Sequence, residues 1–355
     1  MKRFPRLAVA MVLAGIFMAG LTIDASAKTL RYAEFGPNRG LRAQALRWFA
    51  DEIKKRSGGS LEIEFHWGKS LLGTKAVLKG VGDGVADMGS VIGFFTPKKL
   101  RAYNIGDLPV DNSDVWVGMR AMYALGTGNP VFLAEMKKLG VAYVTNYSTG
   151  PIQLICTRDV KALADLKGVK LRGSGPYGKA LGDLGAKVQR MGQPKVYQAL
   201  DSGLIECNQN YYYSMRAYKQ YEVAPYVLEL NWGQNMSFGI IINRNTLAGL
   251  SGTEKKVLAG VGSDFIDHMA RVMIEGAKTD KAAMVAGIGG KSIAVTTLPV
   301  GERQELLAAG RKYVNAWLTE ATKDGLDSTG LMRAYESLIT KYASEKRVKG
   351  YPWAR

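Results

Sequence analysis

Two residues at the ends of neighbouring apolar stretches carry the most chemistry in this sequence. Arg172 closes Leu-Lys-Gly-Val-Lys-Leu-Arg (166–172), and Asn210 closes Ile-Glu-Cys-Asn-Gln-Asn (205–210). An arginine at the end of a buried strand needs a partner, and its planar fork matches a carboxylate with two parallel N–H donors. An asparagine beside it adds an amide donor. A cation and an amide aimed at one carboxylate make a binding site, and neither is a nucleophile. The competing uses are an internal ion pair for Arg172 and a turn or cap for Asn210.

Other candidate chemistry is thin. Gly173-Ser-Gly-Pro-Tyr-Gly178 has the G-x-G-x-x-G spacing of a dinucleotide site. The next strand, however, ends at Gln189-Arg190, where an acidic residue should hold the ribose. A tight turn opening a helix is the better reading, with free N–H groups that favour an anion. His66, His268, Cys156 and Cys207 lack the spacing of a zinc site. No G-x-S-x-G, H-E-x-x-H or S-x-x-K motif occurs, so neither an enzyme nor a cofactor or metal is expected. The two cysteines either form one bridge in an oxidising compartment or remain buried thiols.

Aromatic residues crowd Phe35, Phe94-Phe95, Tyr211-Tyr212-Tyr213 and Trp232. Cleft walls of that kind suit an apolar or ring-bearing ligand body, although any single ring is more often core. The aromatic candidates for ligand contact are Phe35, Phe94, Tyr211 and Tyr213. The polar ones are Arg172, Asn210, Gln153, Gln193, Ser90 and Asn235.

These residues need a scaffold. Thr29–Phe35 reads as a strand, 41–56 as a helix with Leu41, Ala45, Trp48, Phe49 and Ile53 on one face, and 61–66 as an alternating strand. A helix over 71–81 and a buried strand within 84–91 come next. That order predicts an α/β lobe with a mostly parallel sheet. Helix is expected over most of 112–139, a strand at 141–146, and a crossing to a second lobe near Ser148-Thr149-Gly150. There, 152–157 and 166–210 give alternating strands and helices, with a helix at 214–221 and a strand at 226–230. Phe238–Asn243 returns to the first lobe. Helices over 252–285, 301–322 and 331–343 and a strand near 292–297 complete the chain. Two lobes with more than one crossover describe a hinged binding protein that closes on a ligand in its central cleft.

The ends and the charge set the compartment. Lys2, Arg3 and Arg6 precede an apolar run from Leu7 to about Leu21, then Ala25-Ser-Ala27, which reads as a secretory signal peptide over 1–27. An uncleaved anchor is the alternative. The mature chain would start at Lys28, exported and periplasmic. The full chain of 355 residues carries a formal +17, and loss of Lys2, Arg3, Arg6 and Asp24 leaves about +15. In an exported protein that excess favours anionic ligands by steering, or is simply solvated surface. The cations are dispersed, so no nucleic-acid partner is expected.

The segment from Asp165 resembles the signature of substrate-binding proteins of tripartite ATP-independent periplasmic (TRAP) transporters. Asp165-Leu-Lys-Gly-Val-Lys-Leu-Arg172 matches the family's strand. Leu184-Gly-Ala186, Val196-Tyr-Gln-Ala-Leu-Asp-Ser-Gly203 and Asn210 are similar to the family's pattern downstream of that strand. Gly58-Gly59, Leu72-Gly73, Gly84-Val-Ala-Asp-Met88 and Ile241-Ile-Asn243 extend the likeness. The resemblance implies that Arg172 clamps a ligand carboxylate and Asn210 assists. It also implies a two-lobed, type II-like periplasmic binding fold spanned by a long helix, and delivery of the ligand to TRAP membrane subunits.

There are departures. Glu206-Cys-Asn-Gln replaces the usual Asp-Gly-x-Glu, and Tyr211 replaces a common proline. Ile152, followed by Gln153, stands where some members carry a second arginine. A single arginine with Phe35 and Ile92 opposite suits a monocarboxylate with an apolar or aromatic body. The expected lobes are 28–149 with 236–275, and 150–235 with 276–330, followed by a helical segment at 331–355, in a monomer. The competing functions are a ligand sensor of the same fold, an exported hydrolase and a cationic envelope-binding protein.

Overall fold

A computed structural model describes residues 27–355, so the signal-peptide reading falls almost entirely outside the described residues. The chain begins with β1 (Lys28–Ala33), α1 (Gly40–Arg56), β2 (Leu61–His66), α2 (Val77–Gly82) and β3 (Met88–Ile92). It continues through α3 (Val115–Gly128), α4 (Pro130–Lys138) and β4 (Val141–Tyr147). A second run holds β5 (Pro151–Cys156), β6 (Lys170–Arg172), α5 (Gly175–Asp183), β7 (Lys187–Gln189), α6 (Val196–Asp201), β8 (Cys207–Asn210), α7 (Tyr212–Ala217) and β9 (Tyr226–Gln234). Then come β10 (Phe238–Asn243), α8 (Arg244–Ala248), α9 (Gly252–Ala286), β11 (Ala294–Thr297), α10 (Arg303–Lys323) and α11 (Ser328–Lys349).

Two sheets result, ordered β2-β1-β3-β10-β4 in lobe I and β11-β9-β5-β8-β6-β7 in lobe II. Each is parallel except for one strand: β10 runs against β3 and β4, and β5 runs against β8 and β9. Those two strands are the ones that come directly after a crossing between lobes, so each enters its new sheet from the opposite end. The crossings run side by side. Thr149 N donates to the Asn235 carbonyl (3.1 Å), and Asn235 N donates to Thr149 Oγ1 (3.1 Å).

Local sequence explains the elements. Along α1, Ala45, Leu46, Phe49 and Ile53 recur at helical spacing and are buried under the lobe I sheet, while Gly58 and Gly59, both with positive φ, end the segment. Asn129 separates α3 from α4 by accepting from the N–H groups of Val131 and Phe132 ahead of Pro130. The helix expected from residue 71 begins only at Val77. Leu71 and Leu72 instead pack on the core from a turn around Gly73. The expected strand at 226–230 extends to Gln234, where a bulge holds Asn231 and Gly233 at positive φ.

Helix α9 starts with a capping box between Ser251 and Glu254 and runs 35 residues, about 50 Å. Its Phe265, Ile266 and Met269 join the lobe I core, and Met284 joins a lobe II cluster. A second helix also spans the lobes, which hydrophobic periodicity did not reveal. In α10, Leu306 packs in lobe II, while Trp317 and Ala321 lie in lobe I with Leu331 and Tyr335 of α11.

Candidate functional site

Arg172 stands at the C-terminal edge of β6, at the end from which ligand sites of parallel sheets open. Leu171 anchors the strand in the lobe II core, and the chain turns at Gly173-Ser174 into α5. A β-carbon at Gly173 would sit 2.9 Å from Gly178 Cα, so the two glycines let the first turn of α5 press against this turn. The glycine motif therefore serves packing. The Ser174 N–H, one donor that could have met an anion, is taken by Gln209 Oε1 at 3.0 Å.

The Arg172 side chain is nearly buried. Its Nε donates to the Met191 carbonyl at 3.0 Å and Nη1 to the Gln209 carbonyl at 3.4 Å. No carboxylate pairs with it among the described residues. Burial pushes its guanidinium below the ordinary value, with Tyr211 as the small opposing influence. A buried charge without a counter-charge is costly, and Arg172 stands as such a charge among the described residues.

Arg172 looks into a cavity of about 130 Å³ between the lobes. An apolar cavity of roughly 150 Å³ accommodates benzene, so this one is close to the scale of a single ring, with the adjoining chamber beyond it. Lobe I contributes Phe35, Ile92, Phe94, Phe95 and Phe238, and lobe II contributes Tyr211, Tyr213, Tyr218 and Gln193. Phe94 lies 5.8 Å from Phe238 edge-on, and Phe35 lies 6.2 Å from it. Across the cleft, the rings of Tyr211 and Tyr213 are 6.0 Å apart and within 8° of parallel. A wider chamber of about 560 Å³ adjoins through Phe94, Phe95 and Arg172, and is lined by Lys75, Arg101, Lys179 and Arg190. Arg101 is paired there with Glu320 and Asp324, and Lys75, Lys179 and Arg190 leave the chamber an excess of positive charge.

Of the ten residues singled out from sequence, Arg172, Phe35, Phe94, Gln193, Tyr211 and Tyr213 line the cavity. The other four stand behind the wall. Asn210 donates to Gln220 Oε1 (2.6 Å) and accepts from Gln193 Nε2 (3.2 Å), so it orients Gln193 and does not face the cleft. Gln153, opposite Asn210 on β5, clamps the bulge through Asn231. Ser90 is fully buried between Tyr32 (2.7 Å) and Glu34. Asn235 donates to Tyr211 OH at 2.6 Å and so fixes one wall ring. Trp232 belongs to the lobe II core.

Sequence reasoning missed Arg42 and Glu34. Arg42 lies on the cavity wall over the Phe35 ring, with Nη2 3.3 Å from Glu34 Oε1. Burial is the largest influence and lowers its tendency to hold a proton, but Glu34 together with Tyr147, Tyr213 and Tyr218 outweighs it, and the guanidinium is held above its ordinary value. The signal was present: position 42 falls on the buried stripe of α1 with 45, 46, 49 and 53.

The cysteines are joined. Cys156 and Cys207, directly opposed on β5 and β8, form a disulfide across a separation of 51 residues. At the crossing, the Asp107 carboxylate accepts from the N–H groups of Met236 (3.1 Å) and Ser237 (3.0 Å). Burial pushes Asp107 up to about 6 against those bonds. Among the described residues no cluster suits a metal ion, and no helix is long and apolar enough to cross a membrane.

Residues 32–320 match the family described as Bacterial extracellular solute-binding protein, family 7, or DctP. The chain belongs to that family. It is a TRAP solute-binding protein, and solved structures share its fold. A TRAP periplasmic solute-binding protein from Desulfovibrio salexigens superposes with a TM-score of 0.79 at 25% identity, covering 91% of this chain and 97% of that one. There, the C-terminus of a symmetry mate occupies the ligand-binding site. A TRAP solute-binding protein from Rhodoferax ferrireducens, in complex with copurified benzoate, gives 0.80 at 22% identity over 90% and 99%. A marine-metagenome protein specific for aromatic acid ligands, with 3-hydroxybenzoate, gives 0.77 at 22% over 89% and 99%.

Proposed function

We propose that this solute-binding protein acts in the periplasm as a monomer. It captures a monocarboxylate with an apolar or aromatic body and hands it to the membrane subunits of a TRAP transporter. It acts by binding, not by turnover. The observation that carries this reading is Arg172, a buried cation without a counter-carboxylate at one end of an aromatic cavity. The ligand carboxylate takes the free face of the guanidinium. The body lies between Phe94 and Phe238 on one side and Tyr211 and Tyr213 on the other, and the crossings at 148–150 and 235–237 act as the hinge of closure. The bound benzoate and 3-hydroxybenzoate of the two similarly folded proteins support a ligand of this class.

A thermal-shift panel of the chain from Lys28 tests it, with benzoate, mandelate, hexanoate, succinate and a sialic acid. A ligand at about 100 times its dissociation constant adds roughly 2.7 kcal/mol to stability. Shifts with the monocarboxylates, lost in Arg172→Met, are expected. Shifts confined to succinate or the sugar acid, or shifts that survive Arg172→Met, would overturn the reading.

A further inference from the structure

We propose that Arg42 is a second ligand-reading residue, selecting acids that carry a neutral hydrogen-bond acceptor (a hydroxyl, keto or lactam oxygen) away from the carboxylate. The inference rests on the Arg172 site as its starting point and adds the chemistry at the facing lobe.

Four observations meet at Arg42. Its side chain is only 12% exposed, yet it lines the cavity opposite Arg172. Gly36 makes room for it, because a β-carbon there would overlap the guanidinium. Its place on the buried stripe of α1 and its position 4.6 Å over Phe35 fix its plane against the apolar wall. Finally, its side chain makes no hydrogen bond with any described residue, Nε is buried without a partner, and Glu34 meets it only as a 3.3 Å ion pair. A guanidinium has five N–H donors, and leaving such donors unfilled in a buried site is costly. An occupant of the cavity can fill the outward-facing ones.

Glu34 decides which occupant. It is fully buried beside Arg42, so the pair offers donors without net charge. A neutral oxygen gains a hydrogen bond from a charged donor. A second carboxylate placed there meets Glu34 as well as Arg42 and is disfavoured. Arg172, without such a partner, is the opposite case.

The test is calorimetric titration of the chain from Lys28 with benzoate, 3-hydroxybenzoate, 4-hydroxybenzoate and isophthalate. One hydroxybenzoate should bind about tenfold tighter than benzoate, the scale of a hydrogen bond to a charged group, and isophthalate should bind more weakly than benzoate. Arg42→Met combined with Glu34→Gln removes the donors and keeps the site neutral. It should erase the hydroxyl advantage, read as the ratio of benzoate to hydroxybenzoate dissociation constants within that variant. Arg42→Lys keeps the counter-charge for Glu34 but loses the fork, and should lose most of the advantage. Apo unfolding curves show that each variant folds. A hydroxyl advantage that survives both variants, no advantage in the parent, or tightest binding of isophthalate would overturn the inference alone. Benzoate binding indifferent to Arg172→Met, or no binding by any of the four acids, would sink the Arg172 site and this inference with it.

Discussion

The two lobes hold their cleft cations in opposite ways. In lobe I, Arg42 stands against a fully buried Glu34, which is itself held by Ser90 and by the Gly36 N–H at 2.7 Å. In lobe II, Arg172 has only two backbone carbonyls. The first arrangement is complete as a charge pair before any ligand arrives. The second is left open, and lobe II bears the cost of its desolvation. The lobes differ covalently too, since the disulfide joins β5 to β8, and β8 is the strand that pairs with β6 under Arg172. On the proposed function, the compensated cation supplies directional donors, whereas the uncompensated one supplies the drive to bind an anion.

Breaking the staple should have the largest effect. Replacing both cysteines with alanine should lower unfolding free energy by about 4 kcal/mol on the chain-entropy estimate for a loop of this length, read by denaturant titration. If the loss is under about 1 kcal/mol, the disulfide does not stabilise the lobe that carries the open cation. Next comes Arg42→Met alone, which strands Glu34 in the interior and should cost about 3 kcal/mol of apo stability. Adding Glu34→Gln should recover most of that, and failure to recover would mean that the pair is not the unit described.

Arg172→Met should move stability in the other direction. It removes a buried charge without a partner, so the apo protein should gain about 1 kcal/mol while its acid affinity falls about 100-fold. A loss of apo stability equal to that of Arg42→Met would erase the contrast between the lobes.

The smallest effect concerns pH and lies at the crossing. Burial raises Asp107 to about 6 and Glu135, next to the 103–107 turn, to about 7. For carboxyl groups with raised values, the folded state binds more protons. Their contribution is therefore fully present below the unfolded values near pH 4 and is lost as pH rises through 6 to 7. Asp107 alone should account for about 1 kcal/mol of lost stability between pH 5 and pH 7. Melting temperatures that rise over that interval would contradict the assignment.

Much of this architecture was legible in the sequence. The crossing at 148–150, the return at 238–243 and the long helix from residue 252 emerge from hydrophobic periodicity and turn residues. The place of Arg172 on the cavity wall was legible because it ends an apolar strand at the C-terminal edge of a parallel sheet. The place of Asn210 behind the cavity lining was not legible, because strand periodicity gives which residues share a face, but not which face meets the cleft. Asn208 and Asn210 both reach Gln220 and Gln193, and of these four only Gln193 lines the cavity. The Glu34–Arg42 pair escaped notice because its members sit on different elements and look like ordinary charges in turn and helix. Only the coincidence of position 42 with the buried stripe of α1 betrays it. The double role of α10 was hidden as well, since amphipathic periodicity does not say that its two halves cover different lobes.

The most direct test of the central claim is a crystal structure of the chain from Lys28 with benzoate. The carboxylate should lie within hydrogen-bond distance of the Arg172 guanidinium, with the ring between Phe94 and Phe238 on one face and Tyr211 and Tyr213 on the other. A carboxylate bound at Arg42, or held in the outer chamber by Lys75, Lys179 and Arg190 with Arg172 untouched, would contradict the account.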